Sequence, residues 1–488
     1  MRVVMRNAVG AVALALSGCT MIPNYHRPAA PIAATWPGAS GTEAAATADM
    51  RDWTTFYRDP LMQRLITLSL DNNRDLRIAR QQVSASSAQF DIENAALFPM
   101  LNGSAGANIQ KEYSRILSLS TTNGPFYTRQ YAVGFGLSAY EVDLWGRIRS
   151  ASQAAFDRYM ADAFSRESMR LSVIAGVASS MLSWVANNEA ALVTQHVLES
   201  RRNTYDLVRQ TVARGTGTQL DLAQAEAPVH EAEANLQVYI RQRAEAFDQL
   251  TLLIGTPLDA STTQALQAKT KLSDVVDFPT VPAGLPSDLI GRRPDILSAE
   301  DTLRSANDDI GSARAEFFPK IQITATNGTA SNSITRLFQS GMGAWNVAPQ
   351  ITLPLFDAGR LTAALKQAKA RKREEIARYE KTVQTAFKEV ADALVGRDTY
   401  RLQLQAQDNL IGANARQYSL ARQRFDAGYD PYLDTLVAQR SLYDAQLGGI
   451  TARLQMMSNS VTLYKALGGG WSATTPQRSP TPIGERIF

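Results

Sequence analysis

Residues 363–467 hold two long helical runs joined by one break, and a single globular domain has no need of helices that long. The break is Ala427-Gly428-Tyr429-Asp430-Pro431. Glycine there permits the left-handed turn that ends a helix, and proline suits the start of the next one. After the break, Leu433, Leu436, Arg440, Tyr443, Leu447, Ile450, Leu454, Met457, Val461 and Tyr464 follow at alternating spacings of three and four. That is a coiled-coil seam. Before the break, Ile376, Tyr379, Val383, Ala386, Val390 and Ala393 make a similar stripe. At about 1.5 Å per residue, the stretch 363–427 spans roughly 95 Å.

A second pattern has period two. Leu101, Gly103, Ala105, Ala107 and Ile109 alternate with Asn102, Ser104, Gly106 and Asn108. After a polar loop, Tyr131, Val133, Phe135, Leu137 and Ala139 alternate with Ala132, Gly134, Gly136 and Ser138. Runs of this length fit transmembrane β-strands, with small and polar residues toward a wet lumen. The alternative is a soluble hairpin lying on a core.

The chain also repeats itself. Leu97-Phe98-Pro99 matches Phe317-Phe318-Pro319, and Gly146-Arg147 matches Gly359-Arg360. Gly215 matches Gly428 and Gly255 matches Gly468, each 213 residues apart. A second pair of alternating runs follows Pro319. The unit is helix, strand, strand, long helix, helix, written twice. Four amphipathic strands cannot close a membrane barrel, and an open edge in lipid has unpaired backbone groups. The barrel is therefore shared between chains, and the small lumen-side residues favour three chains and twelve strands.

The beginning of the chain reads as a secretory signal. Arg2 and Arg6 precede a short apolar run, which ends Leu16-Ser17-Gly18-Cys19. This resembles the bacterial lipobox, in which the cysteine is lipidated, and Cys19 is the only cysteine in the chain. The alternative is an ordinary signal with a chance cysteine. Thr20 next to it, by the same resemblance, directs the protein to the outer membrane. The net charge of +4 with 20% charged residues gives no field for nucleic acid. Three scattered histidines and one cysteine argue against a metal cluster, a disulfide framework or a cofactor.

Several blocks carry a family resemblance. They are Trp53, Asp59-Pro60-Leu61, Asn73-Arg74-Asp75-Leu76, Arg292-Arg293-Pro294-Asp295-Ile296, Leu355-Phe356-Asp357-Ala358-Gly359-Arg360, Tyr432-Leu433-Asp434 and Tyr464-Lys465-Ala466-Leu467-Gly468. Over residues 50–471 the chain resembles the outer-membrane efflux factor (TolC-like) family. The lipobox is similar to that of its lipoprotein (NodT-type) branch. The resemblance implies a mixed α+β membrane protein, mostly α: a homotrimer whose shared twelve-stranded β-barrel continues as a twelve-helix periplasmic α-barrel. It implies a passive exit duct and no enzyme, joined by a periplasmic adaptor (membrane fusion) protein to an inner-membrane RND transporter that expels drugs or other small toxic compounds. A type I protein-secretion duct of the same fold and a pore-less coiled-coil scaffold are the competing readings.

The expected organisation is a signal peptide at 1–18, a lipid-anchored linker at 19–58 and a first helix at 59–99. A transmembrane hairpin at 100–142 and a helical hairpin at 143–254 follow, then an equatorial segment at 255–293. The second copy supplies a helix at 294–319, strands at 320–354 and a hairpin at 355–467, and 468–488 returns to the equator. By the resemblance, adaptors dock at the hairpin tips, on Arg214, Gly215, Thr216, Ala427, Gly428 and Tyr429. Asp221 and Asp434 lie just past each tip. In a trimer each makes a ring of three carboxylates, which selects cations, with Leu433 as the apolar constriction. The alternative is two exposed acids favoured by the helix dipole. The chain departs from the family at Val437, where a second acid is common, and at Phe425, where a tyrosine can bond across the closed tip. Arg440 lies on an otherwise apolar seam, so it is expected to be buried and to meet an acid, Asp221 or Glu226.

Overall fold

Glycines in the left-handed region punctuate the chain in matched pairs. Gly146 and Gly359 (φ 76° and 85°) open the two long helices. Gly215 and Gly428 (φ 78° and 75°) turn their ends, and Gly255 and Gly468 (φ 82° and 73°) end the returning helices. The duplication read from the sequence is thus a duplication of backbone geometry. The computed structural model describes residues 20–33, 35–36, 52–113, 125–279 and 293–469. The signal, Cys19, part of the equatorial segment (280–292) and the tail from 470 lie outside the described residues.

The helices of the first copy are α1 (Trp53–Phe56), α2 (Pro60–Asn72) and α3 (Arg74–Ala95), followed by strands β1 (Leu101–Tyr113) and β2 (Pro125–Val142). Helices α4 (Arg147–Ala213) and α5 (Gln219–Ile254) form its long hairpin, and a short α6 (Ala260–Gln267) follows. The second copy has α7 (Pro294–Ala315), β3 (Lys320–Ser331), β4 (Gly343–Thr352), α8 (Arg360–Asp426) and α9 (Tyr432–Ala466). The single helix expected over 59–99 is two helices. Asn73 breaks it by capping α3 through its side chain (Leu76 N to Asn73 Oδ1, 2.9 Å) while its Nδ2 donates to Leu253 O (2.7 Å). Pro228 leaves α5 unbroken as an element; the helix tolerates one missing donor.

The four strands form one antiparallel sheet in the order β1-β2-β3-β4, with β1 and β4 as its edges. The register sets Asn102, Ser104 and Gly106 opposite Gly136, Gly134 and Ala132. Gly134 in turn faces Gly328, and Gly136 faces Thr326. One face of the sheet is therefore small and polar. The other carries Leu101, Ile109, Phe135, Val347 and Trp345, all more than half exposed in the protomer.

At 67 residues, α4 and α8 each run about 100 Å. By length and hydropathy α4 is apolar enough to cross a membrane, but its apolar window is 61% buried, so it is the central helix of the bundle. The main core lies partway along the helices. It joins α1 and α2 to Ile174, Met181, Leu182 and Val185 of α4, to Tyr379, Val383 and Val390 of α8, and to Val461 and Tyr464 of α9. Phe56 stacks on Tyr464 at 4.1 Å and on Phe278 at 5.1 Å. Residues 20–33 run along α7: Asn307 Nδ2 donates to Pro23 O (2.9 Å), Arg314 Nη1 to Met21 O (3.2 Å) and Arg27 Nη2 to Glu300 (2.6 Å). The two copies are tied at the base of the sheet, where Trp145 Nε1 donates to Pro319 O (2.9 Å) and its ring stacks on Phe318 (4.8 Å).

Candidate functional site: the paired helix tips

The first tip joins α4 to α5. Gly215 N donates to Val212 O (2.9 Å) and Thr216 N to Thr211 O (3.0 Å), closing the end of α4. Thr218 caps α5 in a reciprocal box: Asp221 N donates to Thr218 Oγ1 (3.1 Å), and Thr218 N donates to Asp221 Oδ2 (3.0 Å). The Thr218 hydroxyl and amide together hold the Asp221 carboxyl below the usual carboxylate range. Asp221 thus satisfies the helix start and stays at the surface.

The second tip joins α8 to α9 with the same backbone and different chemistry. Gly428 N donates to Phe425 O and Tyr429 N to Arg424 O, both at 2.9 Å. Arg424 reaches across the turn to Asp430 (Nη2 to Oδ1, 2.8 Å). The guanidinium pulls the Asp430 carboxyl down, and Asp430 raises Arg424 in turn. The sequence reading missed this pair, although an arginine and an aspartate on either side of a glycine turn were its visible signal. Arg214, Gly215, Thr216, Ala427, Gly428 and Tyr429 are all exposed.

Asp221 and Asp434 both stand third in their helices. The leucines before them, Leu220 and Leu433, are 66% and 49% exposed. Each tip therefore presents a bare leucine and a carboxylate side by side. Phe425 is half-buried. Its ring meets Tyr432 edge-on at 5.5 Å, with the Arg422 guanidinium 5.9 Å from its centre, so it is held by its own hairpin.

Arg440 corrects the sequence reading. Its side chain is 67% exposed, and its ion-pair partner is Asp444, 3.9 Å away and one turn on. Asp221 is engaged with Thr218, and Glu226 lies 3.8 Å from His230. The reason is the phase of the helix. The expected seam holds at Tyr443, Met457, Val461 and Tyr464, whereas nearer the tip Thr435, Ala438 and Gln439 are buried in place of Leu433 and Arg440. Leu433, Val437, Arg440 and Asp444 share the exposed side. A stripe with a 3.5-residue repeat drifts around a helix of 3.6 residues per turn, and over three or four turns the drift decides which side chain faces in.

The blocks behind the family resemblance do structural work. Asp59 caps α2 and accepts from Lys269 Nζ (2.8 Å). Buried Arg293 ties α7 to Ala466 O of α9 (2.9 Å) and to Glu389 of α8 (2.9 Å). Among the described residues no three His, Cys, Asp or Glu side chains gather as a metal site.

A family model described as outer membrane efflux protein matches residues 65–256 and 285–469. A toluene efflux pump outer membrane protein of Pseudomonas putida, TtgC, is 40% identical over 474 residues, 96% of each chain. Outer membrane protein OprJ of Pseudomonas aeruginosa is 39% identical over 465 residues, covering 94% of this chain and 95% of that one. Among solved structures, a membrane protein from Pseudomonas aeruginosa superposes with a TM-score of 0.85 at 38% identity, over 92% of this chain and all of its own. The open state of the Neisseria gonorrhoeae MtrE outer membrane channel gives 0.81 at 35% identity, over 93% and 99%.

Proposed function

The chain belongs to the outer membrane efflux protein family, and on that premise we propose that three copies close one duct and that its tips form both the gate and the docking surface. The protein is an outer-membrane exit duct of an efflux pump. The observation that carries the finer reading is the open four-stranded sheet, whose two edges, β1 and β4, have no strand partner among the described residues. In lipid such edges must be closed, and twelve strands leave room for a channel where eight pack solid. A lipid on Cys19 anchors the strap formed by residues 20–33. A periplasmic adaptor docks on Arg214, Gly215, Thr216, Ala427, Gly428 and Tyr429, and an inner-membrane RND transporter supplies the energy. The duct itself performs no chemistry.

At the periplasmic end, rings of Leu433 and Asp434, helped by Asp221, narrow the passage. The relative TtgC is named for toluene efflux, which favours small organic toxicants as cargo over exported proteins. Mass measurement in mild detergent tests the assembly: a trimer is expected. A monomer that keeps its full strand content would overturn it.

A further inference from the structure

Arg201 of α4 is 2% exposed, which is an unusual place for a cation. Its Nη1 donates to Pro228 O (2.7 Å) and to Glu231 Oε2 (3.2 Å), both on α5. Its guanidinium carbon lies 5.6 Å from the centre of the Tyr443 ring on α9. The Tyr443 hydroxyl shares a 2.9 Å hydrogen bond with Thr194 of α4. Toward the tip, Gln439 Nε2 donates to Ser200 Oγ (3.1 Å). These bonds form a ladder between α9 and α4, and α9 and α4 belong to different hairpins.

The ladder replaces apolar packing. Over its first four turns α9 buries Thr435, Ala438, Gln439, Tyr443 and Ala445, which offer little greasy surface. Apolar contacts tolerate sliding, whereas hydrogen bonds hold one register. Arg201 carries a cost for this, since its Nε has no hydrogen-bond partner. A buried donor left unpaired is unfavourable. A bundle selected for stability alone has apolar residues at such a position.

We propose that Arg201 is a positioning residue of the periplasmic gate: through Tyr443 and the adjoining ladder it fixes where the tip half of α9, with Leu433 and Asp434, stands against the first hairpin. The proposal rests on the tip-gate reading above. Arg201→Met keeps the bulk and removes the grip. Glu231 is 47% exposed, so water takes over its carboxylate and the fold is not left with a buried orphan charge.

The test is single-channel conductance of the full-length trimer in planar bilayers, with its thermal midpoint measured alongside. Leu433→Ala reports on the gate itself. Arg201→Met should raise conductance severalfold with the midpoint little changed. Tyr443→Phe, which keeps the ring and loses the Thr194 bond, should raise it less. Asn414→Ala removes a 3.0 Å bond to Ser441 O inside the second hairpin and should raise nothing. If Leu433→Ala widens the channel and Arg201→Met does not, the ladder is overturned and the gate stands. If Leu433→Ala has no effect, the gate reading falls, and with it any role for Arg201 in positioning it. An equal rise with Asn414→Ala means general loosening and also overturns the proposal. Should Arg201→Met fail to assemble, the Tyr443→Phe arm decides alone, and no rise there refutes it.

Discussion

The long helices α4 and α8 share length, opening glycine and closing turn, yet 30 of the 67 residues of α4 are buried against 8 of 67 in α8. Leu182 and Val395, equivalent at 213 residues' separation, are 0% and 53% exposed. The duplication copied a backbone and left the surroundings free to diverge. Left-handed glycines fix where each arm begins and turns. Side chains decide which arm stands in the middle of the protomer. The bare side of α8, with Val395, Leu402, Leu410 and Leu420 exposed, is the side that the proposed assembly covers with a neighbouring copy.

The largest effect should come from that matched pair. Leu182→Ala is expected to destabilise the protomer by about 2–5 kcal/mol, as buried leucine truncations do. Val395→Ala should leave protomer unfolding within about 0.5 kcal/mol of the parent, as exposed sites do, and weaken trimer association instead. Denaturant unfolding and detergent-dilution mass measurements separate the two. Equal costs in protomer unfolding would break the contrast between the arms.

Glycines give the next test. A Cβ at Gly215 meets nothing within 4 Å, whereas at Gly255 it lies 2.5 Å from the carbonyl oxygen of Asn72. Gly215→Ala should cost only the left-handed backbone, about 1–2 kcal/mol. Gly255→Ala adds a clash with backbone and should lower the thermal midpoint distinctly further. Matching midpoints would mean that the turns are equally free, and that the α2–α5 junction is not tight.

The smallest effect is electrostatic and belongs to the first arm alone. Asp157 of α4 has Ala370 as its equivalent in α8. Burial, then the Asp308 and Asp301 carboxyls, push Asp157 from 3.8 up to about 8, and burial also raises Asp308. Arg304 is spent on Glu300 (2.7 Å) and lies 3.6 Å from Asp301. Lys372 is bonded to Asn307 (2.8 Å), and Arg158 pairs with Asp309. The folded state holds a proton that the unfolded chain releases. Its contribution to stability is therefore complete below the unfolded value and lost as pH rises through about 8. The thermal midpoint should fall from pH 6 to pH 9, and Asp157→Asn should flatten that fall. An identical slope in the variant would remove Asp157 as its source.

Much of this architecture was legible because it is periodic. The matched glycines and the alternating runs mark positions where one residue type is needed for one backbone shape. The tip chemistry was legible only in part. Asp221 reads from the sequence as a pore acid, with an exposed acid favoured by the helix dipole as the alternative; its reciprocal bonds with Thr218 add a capping role that the spacing alone did not show. Arg440 was misplaced because a seam read from spacing carries no origin, and a small drift per turn carries Arg440 to the outside while Gln439 turns in. Arg201 gave no signal, since one of eight arginines in a 67-residue helix looks like the exposed ones until Pro228 and Tyr443 are brought to it by other elements. Contacts between distant helices are set by the fold, and local pattern does not encode them.

The glycine crossing in the sheet has its own consequence. Where Gly134 faces Gly328 and Gly136 lies against the backbone of Ala325, the strands come too close for side chains between them. The small face is paved there with peptide and flanked by Ser104, Asn102 and Thr326. A molecule sliding over such paving finds neither a hollow that fits its outline nor a charge that answers its own. Smooth walls do not sort their traffic, so if the proposed duct is lined by this face, the choice of cargo falls to whatever loads it.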